Sequence, residues 1–209
     1  MKLALDLDGT LITAEERQSW LLRAVAARYD LQLCPQTVWG LKRAGSSNAS
    51  VLAALDIEEP LADLIDAAWR AEIESVYWLG LDRPFDDTVP CLRALLDRGY
   101  ELHLITARRN SCHLQLQLRR LNLPAYFESV TCVDPADAPR QKSRRLMEID
   151  PVGFIGDSES DFSAARQADV EFYAVSTGQR SEAMLRSAGV AHVYPSLGEL
   201  QEIFPAAGE

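Results

Sequence analysis

The hydrophobic residues of this chain follow two different patterns, and the change of pattern divides the chain into two parts. Residues 3–7 are apolar except for Asp6 and predict a short strand that is buried on both faces of a sheet. From residue 13 to about residue 80 the apolar positions recur at helical spacing only. Helices are predicted there over 14–30, 35–41, 49–56 and 60–78. We therefore expect one buried strand followed by a small all-helical unit.

Local polar residues add detail to this helical unit. Thr13 and Glu16 have the spacing of a capping box, which predicts that Thr13 is the N-cap of the first helix. Residues 42–48 are polar and contain Gly45, so they predict a loop between two helices.

Beyond residue 85, predicted strands and helices alternate. Strands are expected over 100–105, 127–133, 152–155, 171–175 and 191–194. Helices are expected over 88–98, 110–122, 141–149, 159–168, 180–188 and 197–203. The segment 110–122 fits a strand or a helix, and we choose the helix because neighbouring parallel strands need a crossover. The prediction is an α/β fold, with a Rossmann-like parallel sheet core (1–12 and 85–209) that carries the inserted helical unit (13–84).

Composition narrows the classes of partner. The chain has 209 residues, of which 47% are hydrophobic, and a net charge of −10, which argues against nucleic acid as a partner. It has no signal peptide and no apolar run long enough to span a membrane, so the expected compartment is the cytoplasm. The four cysteines and three histidines lack the spacing of a metal site.

Polar side chains follow three of the predicted strands at the points where these strands end. They are Asp6, Asp8, Thr106 and Asp157, with Asp161 one helical turn further along. Ligands of open parallel sheets bind at the carboxyl ends of the strands, where side chains from separate strands converge. The sequence therefore predicts a site at this edge of the sheet.

Several carboxylates in one crevice repel each other, and a hard divalent cation such as Mg²⁺ removes the conflict. A metal ion together with a lysine and hydroxyl donors is the set of groups that phosphoryl transfer requires. Lys142 lies in the helix before the Asp157 strand and can point into the same crevice. Arg140 and Arg144 are alternatives for that role.

These residues together resemble the four motifs of the haloacid dehalogenase superfamily of hydrolases, in the order of that family. The matching stretches are Asp6-Leu7-Asp8-Gly9-Thr10, Thr106, Lys142, and Gly156-Asp157-Ser158-Glu159-Ser160-Asp161. The helical insert resembles the small C1-type cap of phosphoglycolate phosphatase-like members. The resemblance covers essentially the whole chain.

The resemblance implies a role for each matching residue. Asp6 would be the nucleophile that forms an aspartyl-phosphate, and Asp8 the general acid and base. Thr106 and Ala107 would bind the phosphate, while Lys142 would orient Asp6 and neutralise charge.

The resemblance also implies a cofactor and a contact with the leaving group. Mg²⁺ would be held by Asp6, Asp8, Asp157 and Asp161. The segment 42–48, with Lys42 and Arg43, would contact the leaving group of the substrate, although a solvated polar loop is an equal alternative for this segment.

The expected function is therefore that of a Mg²⁺-dependent phosphatase acting on a small phosphorylated metabolite. A phosphomutase of the same fold needs the same motifs and is the nearest alternative. A phospho-accepting signalling protein and a catalytically silent binding protein are alternatives of different classes. The sequence determines neither the individual substrate nor the oligomeric state.

Overall fold

A computed structural model of the chain describes residues 1–206, and its centre is a six-stranded parallel sheet. The strands are β1 (Lys2–Leu5), β2 (Glu101–Ala107), β3 (Ser129–Val133), β4 (Gly153–Gly156), β5 (Phe172–Val175) and β6 (His192–Tyr194). Their order in the sheet is β3-β2-β1-β4-β5-β6, and each neighbouring pair is parallel. The order reverses at β1, which is where such sheets open a crevice at their carboxyl edge.

From residue 15 to residue 79 the helices follow one another with no strand between them, as predicted. The helices are α1 (Glu15–Ala26), α2 (Pro35–Arg43), α3 (Asn48–Ala53), α4 (Leu61–Glu72) and α5 (Val76–Leu79). They enclose a hydrophobic core of their own, which includes Leu21, Val25, Val38, Leu52 and Ile65. The two segments that join this helical unit to the sheet are bonded to each other. The Thr13 N–H donates to the Arg83 carbonyl at 2.8 Å, and the Arg83 N–H donates to Thr13 Oγ1 at 3.1 Å.

The remaining helices cover both faces of the sheet and confirm the predicted α/β architecture. They are α6 (Thr88–Asp97), α7 (Ser111–Arg120), α8 (Ala138–Ile149), α9 (Glu159–Ala168), α10 (Glu182–Ser187) and α11 (Leu197–Leu200). In β1, Leu3 and Leu5 belong to the core under α6, α7 and α11, whereas Ala4 belongs to the core under α8, α9 and α10. Each fully buried Leu contributes roughly 1.5–3 kcal/mol of transfer free energy, so β1 is strongly anchored from both sides.

Three details of the predicted helices are wrong. The capping box does not form: Ala14 is the N-cap of α1, and Thr13 Oγ1 and Glu16 instead bond Arg83 at the junction. The predicted helix over 60–78 is interrupted, because Ser75 leaves the helical conformation and caps α5. The predicted 42–48 loop begins later, since Lys42 and Arg43 form the last turn of α2, where basic side chains complement the helix dipole. The ambiguous segment 110–122 is helical, as chosen.

Within residues 1–206, no helix combines the length and the hydrophobicity needed to cross a lipid bilayer.

Candidate active site

The carboxyl edge of the central strands forms a polar crevice of about 210 Å³. Asp6 follows β1, Thr106 lies near the end of β2, and Asp157 follows β4. Asp161 lies in the first turn of α9. The backbone N–H of Asp161 donates a hydrogen bond to Oγ of Ser158, the N-cap of this helix, at 3.3 Å. Because β2, β1 and β4 are neighbours in the sheet, side chains from distant parts of the sequence line the same crevice.

Three buried carboxylates meet at this point. Oxygens of Asp6, Asp157 and Asp161 lie within 4.8 Å of one another, and each residue is at most 5% exposed. Lys142 from α8 donates to Asp6 Oδ1 at 2.5 Å and to Asp161 Oδ1 at 2.6 Å. One ammonium group therefore faces three carboxylates.

The titration of these groups reflects their crowding. Burial, opposed by Lys142, raises the pKa of Asp6 to about 6. Burial and the carboxylates of Asp161 and Asp6 hold the pKa of Asp157 well above its usual value. Although burial alone would lower it, the same two carboxylates hold the pKa of Lys142 above its usual value. The cluster therefore has a deficit of positive charge.

The backbone closes tightly around Asp157. A Cβ atom at Gly178 would lie 1.9 Å from Asp157 Oδ2, and one at Gly9 would lie 2.3 Å from the same oxygen. Gly9 also has φ +76°, a conformation that L side chains rarely adopt. The backbone N–H of Gln179 donates to Asp157 Oδ2 at 2.6 Å. These contacts fix the Asp157 carboxylate and leave no room for a larger residue at either glycine.

The donor set fits a magnesium ion. Mg²⁺ takes oxygen ligands at about 2.0–2.1 Å, so the ligands of one ion lie within about 4.2 Å of each other. The three carboxylates are nearly that close and supply only oxygen atoms. A divalent cation would also correct the charge deficit.

Asp8 lies beside this cluster and has different partners. Arg17 from α1 donates through Nη2 to Asp8 Oδ1 at 2.7 Å. Arg108, the residue after β2, donates through Nη2 to Oδ1 at 2.6 Å and through Nη1 to Oδ2. In the described chain the Asp8 carboxylate is held by arginines and is outside the three-carboxylate cluster, and its role as a fourth metal ligand stays a prediction.

The comparisons with known proteins identify the family. The sequence profile of the haloacid dehalogenase-like hydrolases matches residues 3–175, which is most of the chain. This chain belongs to the haloacid dehalogenase-like hydrolases. No curated protein matches it significantly.

Solved structures share the fold of this haloacid dehalogenase-like chain at low sequence identity. A predicted phosphatase from Clostridium acetobutylicum has a TM-score of 0.74 at 20% identity, with 96% of each chain covered. A predicted phosphoglycolate phosphatase from Haemophilus somnus has a TM-score of 0.70 at 16% identity, also with 96% of each chain covered. A candidate beta-phosphoglucomutase from Thermotoga maritima has a TM-score of 0.67 at 20% identity, covering 97% of this chain and 99% of that one.

Most of the residues that the haloacid dehalogenase motifs indicated converge in the crevice. It is lined by Asp6, Asp8, Thr106, Ala107, Lys142, Asp157 and Asp161. Arg140, a predicted alternative to Lys142, instead bonds Asp137 on the protein surface. The structure does not bring Lys42 or Arg43 into this crevice. Lys42 lines a neighbouring cavity, and Arg43 donates to the carbonyls of Gly178 and Ser176.

Four residues of this haloacid dehalogenase site were missed by sequence reasoning: Arg17, Arg108, Gln18 and Gln179. Arg17 is in register with Leu21 and Val25 on the buried face of α1, and an arginine there was a usable signal. Arg108 follows Thr106 by only two residues, which was a second signal. Nothing in the local sequence indicated that Gln179 Nε2 would donate a hydrogen bond to Gln18 Oε1 at 2.9 Å, since the two residues are far apart in the chain.

Proposed function

We propose that this chain is a Mg²⁺-dependent phosphatase that hydrolyses a small phosphate monoester through an aspartyl-phosphate. The observation that carries the proposal is the buried cluster of Asp6, Asp157 and Asp161 around Lys142, with Asp8 lining the same crevice. Such a cluster is costly to fold and is explained by a function that uses its charge.

In the first step, an Asp6 carboxylate oxygen attacks phosphorus, and the bond from phosphorus to the leaving oxygen breaks. Asp8, which enters the cycle protonated, donates its proton to that oxygen. In the second step, Asp8 takes a proton from water while the water oxygen attacks the phosphorus and the bond from phosphorus to Asp6 breaks. Inorganic phosphate leaves, with Asp6 again a carboxylate and Asp8 again protonated.

The other residues of the crevice bind and orient. Lys142 holds the Asp6 carboxylate at 2.5 Å and offers positive charge to the phosphoryl group. The Thr106 hydroxyl and the backbone at Ala107 bind phosphoryl oxygens. Mg²⁺, held by Asp6, Asp157 and Asp161, would neutralise charge on the transferring group.

The helical unit acts as a cap whose residues contact the leaving group of the substrate and select for its charge. A second cavity, of about 420 Å³, lies against the cap and shares Gln179 with the crevice. Lys42 and Arg180 line this cavity, and Lys42 Nζ lies 5.0 Å from the centre of the Trp69 ring. These cations favour a leaving group with an anionic substituent. Arg43, bonded to core carbonyls, contributes by holding the cap against the core.

The proposal is tested by measuring phosphate release from a panel of phosphorylated metabolites with Mg²⁺ and with EDTA. The wild type should release phosphate only with the metal, and Asp6→Asn should be inactive although folded. Asp30→Asn is a matched control: Asp30 is exposed and has φ 59°, a conformation that Asn also adopts readily.

Other outcomes would identify the alternatives. An isomerised product without net phosphate release would indicate a phosphomutase. A long-lived phosphoprotein without turnover would indicate a signalling role. Full activity of Asp6→Asn, after deamidation has been excluded, would refute the nucleophile.

A further inference from the structure

Asp8 is held from two sides by guanidinium groups that are almost fully buried. Arg17 is 2% exposed and Arg108 is 6% exposed. Arg17 contributes one hydrogen bond to Asp8 Oδ1, and Arg108 contributes one to each carboxylate oxygen. Arginine presents its donors in a rigid planar fork, so this arrangement fixes the plane of the carboxylate as well as its position.

The hydrogen bonds leave little of the Asp8 carboxylate free. An ionised carboxylate has about four lone-pair positions, two on each oxygen. Oδ1 accepts two bonds and Oδ2 accepts one, so a single position on Oδ2 remains open. A proton in transit must use that position, and its direction is set by the two arginines.

Arg17 is in turn held by the segment that returns from the helical unit to the core. Its Nε donates to Asp82 Oδ2 at 2.7 Å, and Gln117 Nε2 donates to the same oxygen at 2.7 Å. Asp82 is 2% exposed. Arg108, Asp8, Arg17 and Asp82 therefore form one chain of ion pairs, which joins the end of β2 to both connections of the helical unit.

We propose that Arg17 and Arg108 are positioning residues that aim the open Oδ2 position of Asp8 at the proton to be transferred. Asp82 holds the Arg17 side chain in place, so the orientation of the Asp8 carboxylate depends on the segment that returns from the helical unit to the core. The inference rests on the proposed phosphatase function, in which Oδ2 gives its proton to the leaving oxygen and regains one from water. Misplacement of a reacting group by about 1 Å can cost about 10²-fold in rate, so the clamp has a measurable consequence.

The test replaces each arginine by lysine, which keeps the positive charge but lacks the planar set of guanidinium donors. Arg17→Lys and Arg108→Lys are compared with wild type on an alkyl phosphate and on an aryl phosphate with an acidic phenol. Proton donation matters for the poor alkyl leaving group, so its kcat should fall by about 10²-fold with little change in KM. The burst of phenol from the aryl phosphate should be nearly unaffected. The slow steady-state turnover that follows the burst should fall, as kcat does on the alkyl phosphate.

A double-mutant cycle with Asp8→Asn provides the decisive measurement. If the arginines act through Asp8, either lysine substitution should change the rate of the Asp8→Asn variant by less than about threefold. Arg120→Lys is the matched control: Arg120 Nη2 donates to the carbonyl of Leu79, the last residue of α5, and to the carbonyl of Asp82, but has no bond to Asp8. It should retain the wild-type ratio of alkyl to aryl activity.

Several results would overturn the inference. Full additivity with Asp8→Asn, a rise in KM on both substrates, or an equal slowing of phosphoryl transfer to Asp6 from both substrates would mean that the arginines bind substrate or only support the fold. Should one lysine variant fail to fold by circular dichroism, the other variant and Asp82→Asn carry the same cycle. An inactive wild type would refute the phosphatase function and this inference together, whereas additive losses in an active enzyme would refute the clamp alone.

Discussion

Replacing Lys142 by Met tests the electrostatic argument for the site most directly. Met keeps most of the aliphatic length of the side chain, and Lys142 Nζ lies 5.7 Å from the centre of the Phe154 ring, so packing is largely preserved. What is lost is the ammonium group that bonds Asp6 and Asp161. The substitution therefore leaves the three buried carboxylates without the cation that contacts them in the described chain.

The expected loss of stability is large. Breaking a buried ion pair by removing one partner costs about 3–5 kcal/mol, because the remaining charge stays buried. At about 2–4 °C per kcal/mol for a chain of this size, Tm should fall by roughly 6–20 °C at pH 7 without metal.

The loss should depend on pH with a definite sign. The pKa of Asp6 in the folded protein is raised to about 6 from 3.8, so between these values the folded state binds more protons than the unfolded state. Stability of the metal-free protein therefore falls as pH rises through that window. Removing Lys142 raises the carboxylate pKa values further. The difference in Tm between variant and wild type should therefore be greatest at pH 7 and smaller at pH 5.

Thermal unfolding followed by circular dichroism in EDTA measures this difference. Arg140→Met is the matched control, because Arg140 is on the same helix but bonds Asp137 on the protein surface instead of the three buried carboxylates. It should unfold close to wild type. If Lys142→Met and Arg140→Met have the same Tm at pH 7, or if the pH dependence has the opposite sign, the electrostatic account of the cluster is wrong.

Three further predictions concern individual residues. Gly178→Ala places a Cβ atom 1.9 Å from Asp157 Oδ2, so it should raise the Mg²⁺ concentration needed for activity at least about tenfold. Gly40→Ala is the control: outside its own stretch of helix backbone nothing lies within 4 Å of the added Cβ, so it should stabilise α2 by about 0.5–1 kcal/mol, and equal Mg²⁺ titrations of the two variants would contradict the prediction. Burial and then Arg180 lower the pKa of Lys42 to about 8, so kcat/KM for substrates with an anionic leaving group should fall as pH rises through about 8 and remain flat for an aryl phosphate; Lys42→Gln should remove the difference between the two pH profiles. Asp8→Asn should lose roughly 10²- to 10⁴-fold in phosphoryl transfer from an alkyl phosphate yet give a phenol burst and slow turnover on an aryl phosphate; rapid-quench data without a burst would limit Asp8 to a structural role.

The fold class was predictable because its signals are local and repeated. Alternating strands and helices beyond residue 85 imply parallel strands and crossovers, and the six-stranded sheet confirms this. Helix ends were less predictable. Thr13 and Glu16 match a capping box, but Arg83, which is distant in sequence, bonds both side chains at the junction. A local hydrogen bond was replaced by a tertiary one, which sequence spacing does not report.

The candidate site divides in the same way. Asp6, Thr106 and Asp157 were identifiable from sequence because each lies at the end of a strand, and parallel strands in one sheet bring their carboxyl ends to the same edge. Lys42 and Arg43 were placed in a loop that contacts the substrate, but α2 extends through both residues. Their side chains point into a neighbouring cavity and towards core carbonyls, respectively.

The sequence by itself determined which strands form the sheet and which carboxylates lie at its edge, since both follow from short-range periodicity and from strand ends. Only the tertiary structure decided the partners of those carboxylates. Lys142, and not Arg140, reaches Asp6, because the register of α8 on the sheet turns one side chain inward and the other outward. Arg17 and Arg108 are far apart in the sequence and meet at Asp8, and the cost of burying them is offset by the carboxylates of Asp8 and, for Arg17, Asp82. Pairing of buried charges is a property of packing, and packing is decided by the whole fold.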